Sequence, residues 1–145
     1  MAHESILIVE DEPLAARFVQ ILLERLHYAV CGTAATGQDA IAMVKAEKPD
    51  LVLMDIALKG AIDGIETTRE LRKFHDIPVV FLTAFSDLET LERAKQTEPY
   101  GFLVKPFKAE DLASVVRVAL TKHAMDRQLR QSHKRYMTLV QNISD

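Results

Sequence analysis

Cysteine is almost absent, long apolar runs are missing altogether, and neither sign of charge dominates. Each absence excludes something. The single cysteine, Cys31, has no partner for an internal disulfide, and its apolar surroundings mark it as a small buried hydrophobe. No apolar run approaches the roughly 20 residues of a membrane-spanning helix. The opening MAHES lacks the pattern of a secretory signal, so a reducing cytoplasm is the expected location. A formal charge of −3 gives no general pull toward nucleic acid or anionic membrane. Internal repeats and low-complexity segments are missing too. What is present, 48% apolar and 27% charged residues over 145 positions, suits one folded domain with its own core.

Four short apolar runs each end at a polar residue. Ile6–Val9 runs into Glu10-Asp11, Leu51–Met54 into Asp55, Val79–Leu82 into Thr83, and Phe102–Val104 into Lys105-Pro106. Runs this short, bounded by Pro, Asp and Gly, are the pattern of parallel strands buried on both faces. A weaker strand fits around Tyr28–Thr33. Helical patterns lie between them. Pro13 opens one whose stripe is Leu14, Phe18, Leu22 and Leu26, with Val19 and Leu23 alongside. Thr36 with Asp39, Asp63 with Glu66, and Ser86 with Glu89 open three more, the last two with capping-box spacing. A fifth begins near Lys108. Five strands alternating with five helices predict an α/β fold with helices on both sheet faces, and Phe18, Leu22, Leu71 and Leu112 are expected in the core.

The stretch after Lys122 has no helix stop. Val118, Met125, Leu129, Ser132, Tyr136 and Leu139 form a short heptad seam if Lys122 fills one position, and the flanks are basic at Arg127, Arg130, Lys134 and Arg135. This predicts a helical, coiled-coil linker that could form a homodimer. The domains are accordingly residues 1–122 and a linker, 123–145, that runs into a truncated downstream module.

In an open α/β sheet, ligands bind beyond the carboxyl ends of the strands. Three acids, a hydroxyl and an ammonium would meet there. Asp55 is the candidate nucleophile, since a carboxylate can accept a phosphoryl group as an acyl phosphate. Such transfer needs charge neutralisation more than covalent help. Mg2+, or Mn2+, suits Asp11 and Asp55 as direct ligands, Glu10 through water and the Ala57 carbonyl. Lys105 would pair with Asp55 before transfer and with the phosphoryl group afterwards, and Thr83 would offer its hydroxyl.

Residues 4–122 resemble the receiver domain of two-component response regulators, through ILIVEDEP, DLVLMDIALKG, VVFLTA and FLVKPF in that order and spacing. The resemblance implies a flavodoxin-like (βα)5 doubly wound parallel sheet in strand order 2-1-3-4-5. It implies phosphorylation of Asp55 by the phosphohistidine of a histidine kinase or phosphotransfer protein, a cis bond at Lys105–Pro106, and a switch in which Phe102 rotates inward as Thr83 moves. Arg135 to Asp145 looks like the run leading into a PAS sensory domain, so a PAS- or kinase-type module is expected downstream. His133 lacks the Glu/Asp-x-Arg-x-Pro surroundings of a phosphodonor helix and is expected on the surface.

Several positions depart from the commonest pattern. The loop Leu58 to Gly64 is one residue longer, and Glu98-Pro99 replaces the usual Gly-Ala. Phe102 replaces Tyr. Phe85, two residues after Thr83, is expected to hinder water and slow phosphate loss. A degenerate receiver acting by protein binding is an alternative. A haloacid-dehalogenase-type phosphatase would need a second acid where Ala57 stands, and an FMN binder would need a Gly-rich loop where Glu10-Asp11-Glu12-Pro13 stands. His3, His27, His75 and His123 show no metal-ligand spacing. No winged-helix or helix-turn-helix segment follows, so DNA binding is not expected, nor is turnover catalysis by this domain.

Overall fold

The computed structural model describes residues 3–84 and 88–143. Five strands alternate with five helices: β1 (Ser5–Val9), α1 (Pro13–Arg25), β2 (Ala29–Ala34), α2 (Gly37–Glu47), β3 (Leu51–Asp55), α3 (Gly64–Phe74), β4 (Val79–Thr83), α4 (Leu88–Lys95), β5 (Gly101–Val104) and α5 (Ala109–Ile143). All four pairings are parallel and the order is β2-β1-β3-β4-β5, the flavodoxin-like doubly wound arrangement expected. Phe85, Ser86, Ser144 and Asp145 fall outside the described residues, and with them the cap expected at Ser86 and the end of the PAS-like run.

The apolar runs become strands because both faces of the sheet are covered. Ile6 to Val9, Leu51 to Met54 and Val79 to Leu82 are fully buried. One face packs Leu7, Val52, Met54 and Phe81 against Val44, Ile65 and Leu71; the other packs Ile6, Ile8, Leu53 and Leu82 against Val19, Leu23, Leu112 and Val116. Side chains alternate between faces at every residue, so a strand buried on both sides must be apolar throughout. Helix entry follows the caps: Thr36 Oγ1 accepts the Asp39 N–H at 3.1 Å, and Asp63 Oδ1 accepts the Glu66 N–H at 2.8 Å.

Two expectations need correction. The buried face of α1 is Ala16, Val19 and Leu23, whereas Leu14 is 79% exposed and Phe18 52%. Leu14 and Phe18 share the period of the buried set but lie on the adjacent stripe; the small Ala16 lets the helix approach the sheet where a larger side chain would hold it off. Phe18 packs instead on Phe107, ring centroids 6.2 Å apart. Cys31 is only half-buried, because β2 is an edge strand and its register against β1 shifts between Ile6 and Leu7, leaving Cys31 as the extra residue. Helix α5 has no stop at Lys122, as the sequence predicts, and runs for 35 residues straight through it. No helix among the described residues is long and apolar enough to cross a membrane.

Candidate functional site

The strand register delivers the polar residues to one edge. Asp55 lies opposite Leu82, and Thr83 opposite Val104. Beyond the strands the Ile56 N–H still reaches the Leu82 carbonyl at 3.1 Å, and the Lys105 N–H the Thr83 carbonyl at 2.7 Å. Asp55, Thr83 and Lys105 are therefore fixed by backbone hydrogen bonds before any side-chain contact is counted. Carboxylate oxygens of Glu10, Asp11 and Asp55 lie within 4.8 Å of one another.

Burial sharpens the electrostatics. The Glu10 side chain is 2% exposed and that of Asp55 9%, and a carboxylate removed from water needs a compensating charge or donor. Lys105 Nζ is 2.8 Å from Glu10 Oε1 and 3.5 Å from Asp55 Oδ2. It is thus shared, and held more tightly by Glu10, the more deeply buried acid. Asp55 Oδ1 accepts the Ala57 N–H at 3.0 Å, and Asp11 Oδ2 accepts the Lys59 N–H at 3.0 Å. One ammonium faces three acids, and every carboxylate donor is a hard oxygen. That set fits a small divalent cation of the Mg2+ or Mn2+ kind, not a thiolate- or imidazole-seeking metal.

Burial lowers the Lys105 pKa, but the hydrogen bond it donates to Glu10 and the charge of Asp55 outweigh it, leaving the ammonium above its ordinary 10.5. A raised folded-state value contributes stability that is fully present below the unfolded value and lost as pH rises through the folded one. Lys105→Met should accordingly lower the urea midpoint at pH 7, and the gap from the unmodified chain should close above pH 10.5. A gap constant from pH 7 to 12 would mean that the ion pairs do not stabilise the fold.

Glycine at 64 is imposed by the same corner. A Cβ there would strike the Asp55 carbonyl oxygen and lie 3.0 Å from Ile56 Cα. Phe102 is half-buried, its ring 5.9 Å from that of Phe81. The Lys105–Pro106 peptide is cis. Beside Glu10 and Asp11 opens a cleft of about 300 Å3 that Arg17 and Gln20 also line. Sequence reasoning does not single out Arg17 or Gln20, whose only signal is their spacing from Pro13, and reaches Lys59 only as part of the Leu58–Gly64 loop.

The model of the family described as "Response regulator receiver domain" matches residues 6–117. The transcriptional regulatory protein PdtaR of Mycobacterium tuberculosis is 36% identical over 117 residues, 81% of this chain and 57% of PdtaR. The phyllosphere-induced regulator PhyR of Methylorubrum extorquens is 36% identical over 121 residues, 83% of this chain and 44% of PhyR. The chain thus spans about half the length of these relatives. Among solved structures, the signal receiver domain of a modulated diguanylate cyclase from Desulfovibrio desulfuricans superposes with a TM-score of 0.82 at 38% identity, over 86% of this chain and 99% of that one. The N-terminal domain of a response regulator/sensory box/GGDEF three-domain protein from Carboxydothermus hydrogenoformans gives 0.78 at 33% identity, over 85% and 98%. Sequence, fold and the acidic corner agree: this chain belongs to the response regulator receiver domain family of two-component signalling.

Proposed function

We propose that Asp55 is the phosphoacceptor and that the donor is the phosphohistidine of a histidine kinase or phosphotransfer protein. In that transfer a carboxylate oxygen of Asp55 forms a bond to phosphorus as the bond to the imidazole nitrogen breaks, and the imidazole leaves. The single observation that carries this reading is the convergence of Glu10, Asp11, Asp55 and Lys105 at the carboxyl edge of the sheet. Receiver domains bind Mg2+ at an acidic cluster of this kind. Here Glu10, Asp11, Asp55 and the Ala57 carbonyl are the groups that would hold Mg2+ or Mn2+, which when bound neutralises charge on the phosphoryl oxygens. Lys105, already positioned by two acids, exchanges part of its bond to Asp55 for the transferred group, and Thr83 offers its hydroxyl from the next strand.

Exposed Leu14, Phe18 and Ile21 on α1, the helix that follows Glu10 and Asp11 in the chain, supply an apolar surface, which suits docking of an amphipathic donor helix. Inward rotation of Phe102 would follow the movement of Thr83 and alter the groove between β5 and α5 that Phe102, Val115 and Val118 line. Residues 1–122 then serve as the receiver and 123–145 as a helical link to a PAS- or kinase-type module, an arrangement that the sensory-box relative supports. Val118, Met125, Leu129, Tyr136 and Leu139 are all exposed along that helix, as a homodimer seam requires. The domain acts in the cytoplasm by changing state, without turnover and without touching DNA.

Intact mass after incubation with acetyl phosphate tests the proposal. One added phosphoryl group with Mg2+, and none with a chelator, is expected. No addition in either condition would leave a degenerate receiver that works by binding alone.

A further inference from the structure

The amino-terminal edge of the sheet, opposite Asp55, carries a second cluster of charged and polar groups. Asp76 lies between α3 and β4, and Tyr100 just before β5. Both reach α5. Asp76 Oδ1 is 3.1 Å from His123 Nε2, its Oδ2 accepts from an Arg130 guanidinium nitrogen at 2.8 Å, and Arg127 Nε stands 4.0 Å away. The Tyr100 hydroxyl donates to Asp126 Oδ2 at 2.7 Å. The Tyr100 ring meets the His123 ring edge-on at 5.5 Å and has the Lys122 ammonium 5.9 Å from its centroid. Arg72 of α3 completes the far side, 6.0 Å from the same ring and bonded to the Glu98 carbonyl at 2.9 Å.

These are not the contacts of a solvated tail. His123 is 8% exposed although it lies beyond the residues matched by the family model. Two neighbouring turns of α5 are gripped from two separate loops, and a bidentate carboxylate that joins a buried ring nitrogen to a guanidinium is directional in a way that apolar packing is not. Burial raises the Asp76 pKa, but the hydrogen bond and charge of His123 and those of Arg130 more than reverse it, so Asp76 titrates below its ordinary 3.8 and stays ionised at neutral pH. Burial, then the hydrogen bond to Asp126, push Tyr100 up to about 12, which keeps the phenol a donor.

We propose that Asp76, Tyr100, His123, Asp126 and Arg130 form an anchoring site that fixes the direction of the C-terminal helix against the receiver body. Residues 123–130 of the helical link are therefore held mechanically to the receiver, and its freedom of direction begins after Arg130. Asp76 and Tyr100 are positioning residues, and their role is independent of whether Asp55 takes phosphate.

Hydrogen–deuterium exchange on the full 145-residue chain tests the site. In the unmodified chain, amides of 122–131 should exchange about tenfold or more slowly than those of 133–141. Asp76→Ala should speed exchange over 122–131 about tenfold, leaving the sheet amides and the melting temperature nearly unchanged. Tyr100→Phe, which keeps the ring and loses only the hydroxyl, should give a smaller effect over the same stretch. His123→Ala should release the helix, and His123→Gln, whose amide nitrogen can replace the ring donor, should restore most of the protection. Equal exchange along both halves of the helix in the unmodified chain would overturn the proposal. So would protection over 122–131 that survives both Asp76→Ala and Tyr100→Phe, or a loss spread evenly across the domain.

Discussion

Asp55→Asn should abolish phosphate uptake from acetyl phosphate, down to the detection limit of intact-mass measurement, in a protein that still folds. The amide is nearly isosteric, and its oxygen can still accept the Ala57 N–H that Asp55 Oδ1 accepts at 3.0 Å. What it lacks is the anionic oxygen that attacks phosphorus. The substitution also removes one of three clustered negative charges, so two effects on stability oppose each other. Repulsion from Glu10 and Asp11 falls, while Lys105 loses the weaker of its two partners, at 3.5 Å, and keeps the stronger, at 2.8 Å. The melting temperature without metal should stay within a few degrees of the unmodified chain, and the rise on adding Mg2+ should shrink, because ligand stabilisation scales with affinity for the folded state. Uptake that persisted in the variant would place the acceptor on another acid, with Asp11 the first to examine.

Gly64→Ala should be the most damaging single-methyl addition. The added carbon would meet backbone, namely the Asp55 carbonyl oxygen and Ile56 Cα, and backbone cannot swing aside as a side-chain tip can. Gly64 also donates its N–H to the Ile56 carbonyl at 3.1 Å and opens α3 directly after the Asp63 cap. Relief would have to move either the first turn of α3 or the end of β3. Overpacking of this kind costs about 3 kcal/mol, which for a domain of this size lowers the melting temperature by roughly 6–12 °C. Phosphate uptake should fall as well, because the atoms that must yield are those that hold Asp55. A calorimetric midpoint within 2 °C of the unmodified chain would mean that the Leu58–Gly64 loop relaxes freely and that glycine is not required there.

How much of this was legible before any coordinates depends on the range over which each signal acts. The strands announce themselves locally, since residues such as Leu53 and Val80 must be apolar whichever face they point to, and the polar residue ending each run follows from the same count. Convergence of Asp55, Thr83 and Lys105 then needs only the sheet order. The buried side of α1 was less legible: Leu14 and Phe18 repeat with the same period as Val19 and Leu23, and periodicity alone cannot choose between adjacent stripes. The sharing of Lys105 between two acids was hidden because it depends on their relative burial. Pairings such as Asp76 with His123, 47 residues apart, leave no local trace at all. Nothing in the spacing of His123 points to a partner, and only the fold shows that its partner comes from another loop.

One consequence of the unbroken α5 is geometric amplification. Between Arg130 and Ile143 the helix advances about 20 Å. A tilt of only about 3° at the gripped turns therefore carries the far end roughly 1 Å sideways over that rise. Displacements within the receiver far smaller than a side chain thus reach the distal turn enlarged, with no moving part between the two except the stiffness of the helix itself.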